Sequence, residues 1–310
     1  MRRLLIVPLL LALAGCGTAT VAGPGPGDDS SAVASPEMGV RLPPLQRASS
    51  YSIDAPPEFH VVTAGGEQLD LKPWTACAGT GCYDGAPDDD ALPDVGGAAA
   101  VTFGFDLPGW DFESVTFREL DVACPRRITV AAEKLGPRTF RIDPAGPAGL
   151  WAVDIFGRGR EGGDAVTTIQ WRTPSDGRLP VRARGSAAVL ADHDGELDSY
   201  GVEVYLRDLD RVYSPASVAI TVTGSTGRSV DLQARRGKSC LSAGDLMFRA
   251  GDDVGRSAID VGPGPFTYTV RVELGATTYV GTGTWPDGET GDMAPHVPLT
   301  WDPPLPVYAG

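Results

Sequence analysis

Histidine, lysine and long apolar runs are scarce in this sequence, and each scarcity excludes something. Only His60, His193 and His296 occur among 310 residues, and neither an HExxH nor a GxSxG motif is present. A surface hydrolase, the alternative reading of function, would therefore need a dispersed site recognised by geometry rather than spacing. Lys72, Lys134 and Lys238 are the only lysines in a set of 26 basic residues, which face 40 acidic ones for a net charge of −14. That balance argues against nucleic acid as a partner and against electrostatic docking of the body on anionic lipid. The longest apolar run, Leu4 to Ala14, is interrupted at Pro8 and falls short of the ~20 residues of a spanning helix. After residue 57 no stretch longer than ~12 residues carries a helical period. The expected fold class is all-β.

Cysteine is present in an awkward number. Five thiols leave one unpaired in an oxidising compartment. The isolated one, Cys16, ends the segment that begins Arg2-Arg3, continues through Leu4 to Ala14 and closes with Gly15. A basic start, a short apolar core and small residues before a boundary make a secretory signal over residues 1–15. Leu13-Ala14-Gly15-Cys16 resembles the lipobox of bacterial lipoprotein precursors. The resemblance implies cleavage before Cys16 and a diacylglyceryl group on its sulfur, where two or three acyl chains give stable membrane anchoring. Loss of Arg2 and Arg3 would leave 24 basic against 40 acidic residues, a mature charge of −16.

Cys77, Cys82, Cys124 and Cys240 then remain, enough for two disulfides. Four cysteines allow three pairings, and spacing alone leaves all three open. The small, flexible "AGTG" between Cys77 and Cys82 favours closing that loop, with Cys124–Cys240 tying two domains. A metal site at the close pair lacks further Cys or His ligands nearby.

Residues 16–57 ("GPGPGDD", "RLPPLQ", "DAPP") read as a disordered Pro/Gly-rich tether, with Leu42, Leu45 and Tyr51 offering something to bury near its end. From residue 58 short alternating runs are separated by Gly, Pro or Asp, at the density of a β-sandwich. The expected division is one sandwich over 58–174 and a second over 179–310. "DPAGPAGLWAV" resembles the corner before the last hairpin of an immunoglobulin-like sandwich, with Trp151 in the place of that family's corner tyrosine and no cysteine on the strand. The fold expected is thus two tandem immunoglobulin-like β-sandwich domains after the tether.

Two acidic stretches invite a cation. In "DHDGELD", Asp192, Asp194 and Asp198 surround Gly195 in a calcium-like pattern. An EF-hand register places Leu190 and Gly201 where its first aspartate and last glutamate belong, and "DG" between two apolar runs is a hairpin signal that favours a plain turn. "YDGAPDDDALPD" concentrates Asp84, Asp88, Asp89, Asp90 and Asp94 in what reads as a solvated loop. Trp74, Trp110 and Trp285 lie at strand ends where they would suit glycan stacking, although core packing is the commoner fate. No cofactor is implied beyond this weak calcium pattern.

Taken whole, the chain resembles uncharacterised lipoproteins of high-GC Gram-positive bacteria. Those pair a lipobox with a segment like "PWTACAGTGCYDG" and a later hairpin like "ADHDGELDSYGVEV". The arginine bias, with abundant Ala, Gly and Pro, suits such a genome. The resemblance implies a lipid-anchored protein on the outer face of the cytoplasmic membrane, binding or scaffolding an unknown envelope protein or glycan. It brings no catalytic residue with it.

Overall fold

The computed structural model describes residues 39–44, 51, 53–78, 81–192, 194–286 and 294–310. Cys16 and the signal-like segment lie outside the described residues, as does His193. The first sandwich contains β1 (Phe59–Val62), β2 (Gln68–Leu71), β3 (Thr75–Ala78), β4 (Gly81–Tyr83), β5 (Val101–Phe105) and β6 (Trp110–Glu119). It continues with β7 (Arg127–Val130), β8 (Glu133–Lys134), β9 (Thr139–Ile142), β10 (Gly149–Gly159) and β11 (Asp164–Thr173). One sheet runs β2-β1-β5-β9-β8 and the other β4-β3-β11-β10-β6-β7. With β1, β5, β6, β8, β9, β10 and β11 taken as A to G, the sheets are A-B-E-D and C-F-G, the immunoglobulin arrangement. The β3–β4 hairpin is an addition on the G edge.

Alternation explains most of these strands, but β6 departs from it. Trp110 and Phe112 face the core, then Val115 and Phe117, so the inward parity changes between them. The change is a β-bulge: pairing to β10 shifts register between Phe156 and Arg158. Gly157 lies in that irregularity because Phe112 occupies the space a Cβ there would need. The core between the sheets is aromatic. Phe59, Phe103, Phe105, Phe112 and Phe140 pack ring to ring at centroid separations of 4.6–6.3 Å, an arrangement that adds to simple area burial.

The second sandwich contains β12 (Arg184–Asp192), β13 (Leu197–Arg207), β14 (Ala216–Thr223), β15 (Ser229–Arg236), β16 (Leu246–Ala250), β17 (Phe266–Leu274), β18 (Thr277–Trp285), β19 (Val297–Pro298) and β20 (Thr300–Asp302). A short helix, α1 (Asp252–Arg256), follows β16. The strands form one continuous ladder, β19-β12-β13-β16-β15-β14-β17-β18-β20. It folds over at β15, which pairs with β14 along most of its length and with β16 only at Arg235 and Arg236. The A-B-E and C-F-G order therefore recurs as β12-β13-β16 and β14-β17-β18. At the far side residues 297–302 cross between the halves, pairing first with β12 and then with β18. The core here is aliphatic, closed around Phe248, Tyr268 and Trp285.

Both disulfides are formed, as Cys77–Cys82 and Cys124–Cys240. The first joins directly opposed residues of the β3–β4 hairpin; the second links the sandwiches. Around it Arg126 is buried, donating to the carbonyls of Leu209 (3.1 Å) and Asp210 (3.3 Å), with its guanidinium 3.6 Å above the Tyr308 ring. The Arg127 amide donates to Ser242 Oγ and the Ala243 amide to the Pro125 carbonyl, both at 3.0 Å. Tyr308, from the second sandwich's C-terminal segment, packs on the first core. The two sandwiches belong to one compact unit.

Loop-closure entropy grows with the length of chain enclosed, and the two disulfides span sequence separations of 116 and 5. Replacing Cys124 and Cys240 by alanine is expected to cost about 2–3 kcal/mol more than replacing Cys77 and Cys82. Urea unfolding of the two double variants measures the difference.

Candidate functional site

The aspartates of "DHDGELD" cap a turn. Asp192 Oδ1 accepts the Gly195 amide (2.7 Å) and Asp194 Oδ1 accepts the Glu196 amide (3.1 Å). Asp198 stands opposite Ala191 on the ladder, and Gly195 takes the positive φ of 93° that the turn requires. Two of the carboxylates are thus engaged with their own backbone. Among the described residues no group of three or more His, Cys, Asp or Glu is placed to hold a metal ion.

The second acidic stretch keeps its carboxylates exposed, as expected, while individual contacts tie it down. Asp84 accepts from Thr75 Oγ1 (2.7 Å), and Asp94 accepts the Gly96 amide (2.8 Å) while bridging to Gln170. Asp89 takes both terminal nitrogens of Arg118, at 2.9 and 2.6 Å. This fork-to-fork pair lays the loop across the outer face of β11-β10-β6. Burial of Leu92 completes the attachment.

Beneath that loop lies a polar row read across the strands. Asp154 on β10 stands between Thr116 on β6 and Thr168 on β11. Thr168 Oγ1 donates to Asp154 (2.8 Å) and accepts from Trp74 Nε1 (2.8 Å), while Thr116 and Thr129 hydroxyls lie 3.1 Å apart. Burial pushes the Asp154 carboxyl above its ordinary range, and the Thr168 hydrogen bond and the Arg118 and Arg127 charges only partly offset it.

His60 forms the other polar node, on the outer face of the A-B-E-D sheet. Its Nδ1 lies 2.6 Å from Asp70 Oδ1 and its Nε2 2.9 Å from Asp106 Oδ1. Asp70 is the directly opposed residue on β2, and Asp106 also accepts the Glu58 amide at 2.9 Å. Two carboxylates, one at each ring nitrogen, require an imidazolium that donates twice. Burial pulls the His60 pKa down, but the hydrogen bonds to Asp106 and Asp70 outweigh it, and the net direction is upward. Residues 39–44 run beside this node: the Arg41 amide donates to Gln68 Oε1 (2.8 Å), whose Nε2 donates to Asp70 (2.8 Å) and to the Arg41 carbonyl (3.1 Å). Leu42 fills the space above Gly104, the residue opposite His60 on β5. With both nitrogens committed to carboxylates, His60 is a clamp and not a base.

The remaining sequence candidates separate. His296 pairs with Glu203 at 3.3 Å and meets the Tyr200 ring, far along the chain from any other histidine. Trp110 and Trp285 are buried, the first beside Phe105 and Tyr51, the second donating to the Ala294 carbonyl. They fill cores and offer no stacking platform. Trp151 Nε1 donates to the Pro147 carbonyl (3.1 Å), four residues upstream; an indole thus makes the corner bond that a tyrosine hydroxyl makes in immunoglobulin-like domains. Neither Asp154 nor the Asp70–His60–Asp106 node is visible in the sequence, because cross-strand pairing brings their partners together.

No family model matches the chain, and no curated protein matches it. Among solved structures, the crystal structure of the chicken CNTN1 FN1–FN3 domains aligns with 14% identity over 69% of this chain and 84% of that one, at a TM-score of 0.19. The fold assignment rests on the sheet order and not on this alignment.

Two outcomes test the polar nodes. The His60 clamp stabilises fully below the unfolded imidazole pKa of 6.5 and is lost as pH rises through the higher folded value. His60→Gln should therefore lower Tm more at about pH 5.5 than at about pH 8.5; an equal drop at both would contradict a charged His60. Asp154 has the opposite character at neutral pH, since folding there works against its ionised form. Asp154→Asn should raise Tm at about pH 7 and have less effect at about pH 4, as read by scanning calorimetry.

Proposed function

We propose that this protein is a lipid-anchored envelope component, held through Cys16 on the outer face of the cytoplasmic membrane, that binds or scaffolds an envelope protein or glycan. The observation that carries the scaffolding part is the joint between the sandwiches. A disulfide, a buried arginine and a C-terminal segment reaching back to the first core hold two binding-type domains in one orientation. Domains joined by a bare linker would move relative to one another; a fixed pair presents its surfaces as a unit. Two disulfides suit an oxidising compartment, in keeping with export. Among the described residues no helix is long and apolar enough to cross a membrane.

The anchoring rests on Leu13-Ala14-Gly15-Cys16 and on the kinship with lipoproteins of high-GC Gram-positive bacteria that these residues suggest. Residues 17–38 separate Cys16 from the first segment seated on the body, residues 39–44. Cys16→Ala should abolish incorporation of an alkyne-labelled fatty acid and move the protein from the membrane fraction to the soluble one. Retention in the membrane fraction would overturn the anchoring.

A further inference from the structure

The fold-over at β15 leaves an opening in the second sandwich. Ser229–Ala234 pair only with β14 on one edge, because contact with β16 is confined to Arg235 and Arg236. The other edge of this stretch faces a cleft of about 500 Å³ between β15 on one side and the end of β16 with α1 on the other. Ala250, Val254 and the edge of Leu232 line it together with Asp231, Gln233 and Ser257 and the two arginines at 235 and 249. A volume of this size falls in the range of binding sites.

The polar groups at this cleft are unusual for so acidic a chain. Arg235 and Arg249 are directly opposed on β15 and β16, both exposed and both lining the opening. Like charges in that relation destabilise a sheet. Arg249 is held at Nε by Glu203 Oε1 (3.0 Å); among the described residues no ion-pair partner of Arg235 is found. The nearest acid on the same strand, Asp231, is occupied by Thr221 Oγ1 at 2.6 Å. Two arginines therefore line one opening, one of them paired with Glu203 and the other without an ion-pair partner among the described residues.

We propose that this cleft binds an extended peptide segment of a partner protein, carrying an acidic side chain between apolar ones. The backbone of such a segment would add a strand to the unpaired edge of residues 229–234. Side chains on one face would pack on Ala250 and Val254, and the carboxylate would be shared by Arg235 and Arg249. A free edge, an apolar wall and a paired cationic lip are all used by this one ligand; an anionic lipid or glycan would leave the strand edge unsatisfied. This deepens the binding reading above and does not depend on the anchor.

The test uses the full chain carrying Cys16→Ala, so that binding is read separately from membrane attachment. The probe is a fluorescein-labelled Val-Thr-Val-Glu-Val-Thr peptide with blocked ends, followed by anisotropy. Saturable binding is expected, weakened about tenfold or more when the glutamate is replaced by glutamine or when both Arg235→Ala and Arg249→Ala are introduced. N-methylation of alternate peptide nitrogens should abolish it. In the free protein Arg235→Glu should raise Tm by about 2 °C through relief of the opposed charges, while eliminating peptide binding. Equal affinity for the glutamate and glutamine peptides, no saturation up to about 1 mM, or a lowered Tm for Arg235→Glu would each overturn the proposal. So would displacement of the peptide by phosphatidylglycerol vesicles with no effect of N-methylation, which would reassign the arginines to a lipid surface.

Discussion

Arg126 is the residue through which the two halves of the molecule become one. A guanidinium with nine-tenths of its surface removed from water needs its donors satisfied, since an unpaired buried charge costs several kcal/mol. Its partners are main-chain carbonyls at 209 and 210 and the face of Tyr308. Carbonyls hold a position only as well as the backbone that carries them. The cation therefore couples the β6–β7 corner of the first sandwich to the turn after β13 and to the chain's last strand-like segment. Cys124–Cys240 lies two residues away along the chain and links the same two surfaces covalently. The relative placement of every outer face, and so of any partner bound there, follows from this joint.

Those outer faces are not uniformly solvated. In the first sandwich each sheet buries a titratable group on the side away from the core, and each is covered by a different piece of chain. His60 lies under residues that lead into the first strand, and Asp154 under the acidic loop after the disulfide hairpin. The physical solutions are opposite. His60 is kept charged by two flanking carboxylates, and Asp154 is driven toward its neutral form by burial. Segments that look like linker and surface loop thus act as covers over these two groups. In the second sandwich Arg235 and Arg249 stand opposite one another where the β15–β16 pairing is short.

The fold was largely legible in the residues. Short alternating runs such as "AVTFGFDL" and "SVAITVTG" become the inner strands of the two sandwiches, because period-two burial needs no knowledge of the partner strand. The spacer "AGTG" pointed to the hairpin disulfide, and Trp151 occupies the corner its surroundings suggested. The break in β6 was not legible. "WDFESVTF" alternates on either side of Glu113 and Ser114 with opposite parity, and only pairing with β10 tells a bulge from a turn. The aspartate loops show the same limit. Clustered carboxylates look alike whether solvated, folded onto arginine or capping a turn, and the distinction depends on residues such as Arg118, which lies 29 positions from Asp89.

What the sequence determined by itself was local: strand periodicity, turn positions, a signal-like start and the presence of four thiols for two bridges. These depend on interactions between residues close in the chain, and they are decided before distant segments meet. The tertiary structure alone decided which charges oppose which. Asp70 reaches His60 from β2 and Asp106 from just past the end of β5, Arg235 confronts Arg249 across a ladder only two residues long, and Arg126 finds Leu209 and Tyr308 from the other sandwich. Electrostatic consequence depends on distance in space and on loss of solvent, and neither can be read from position along the chain.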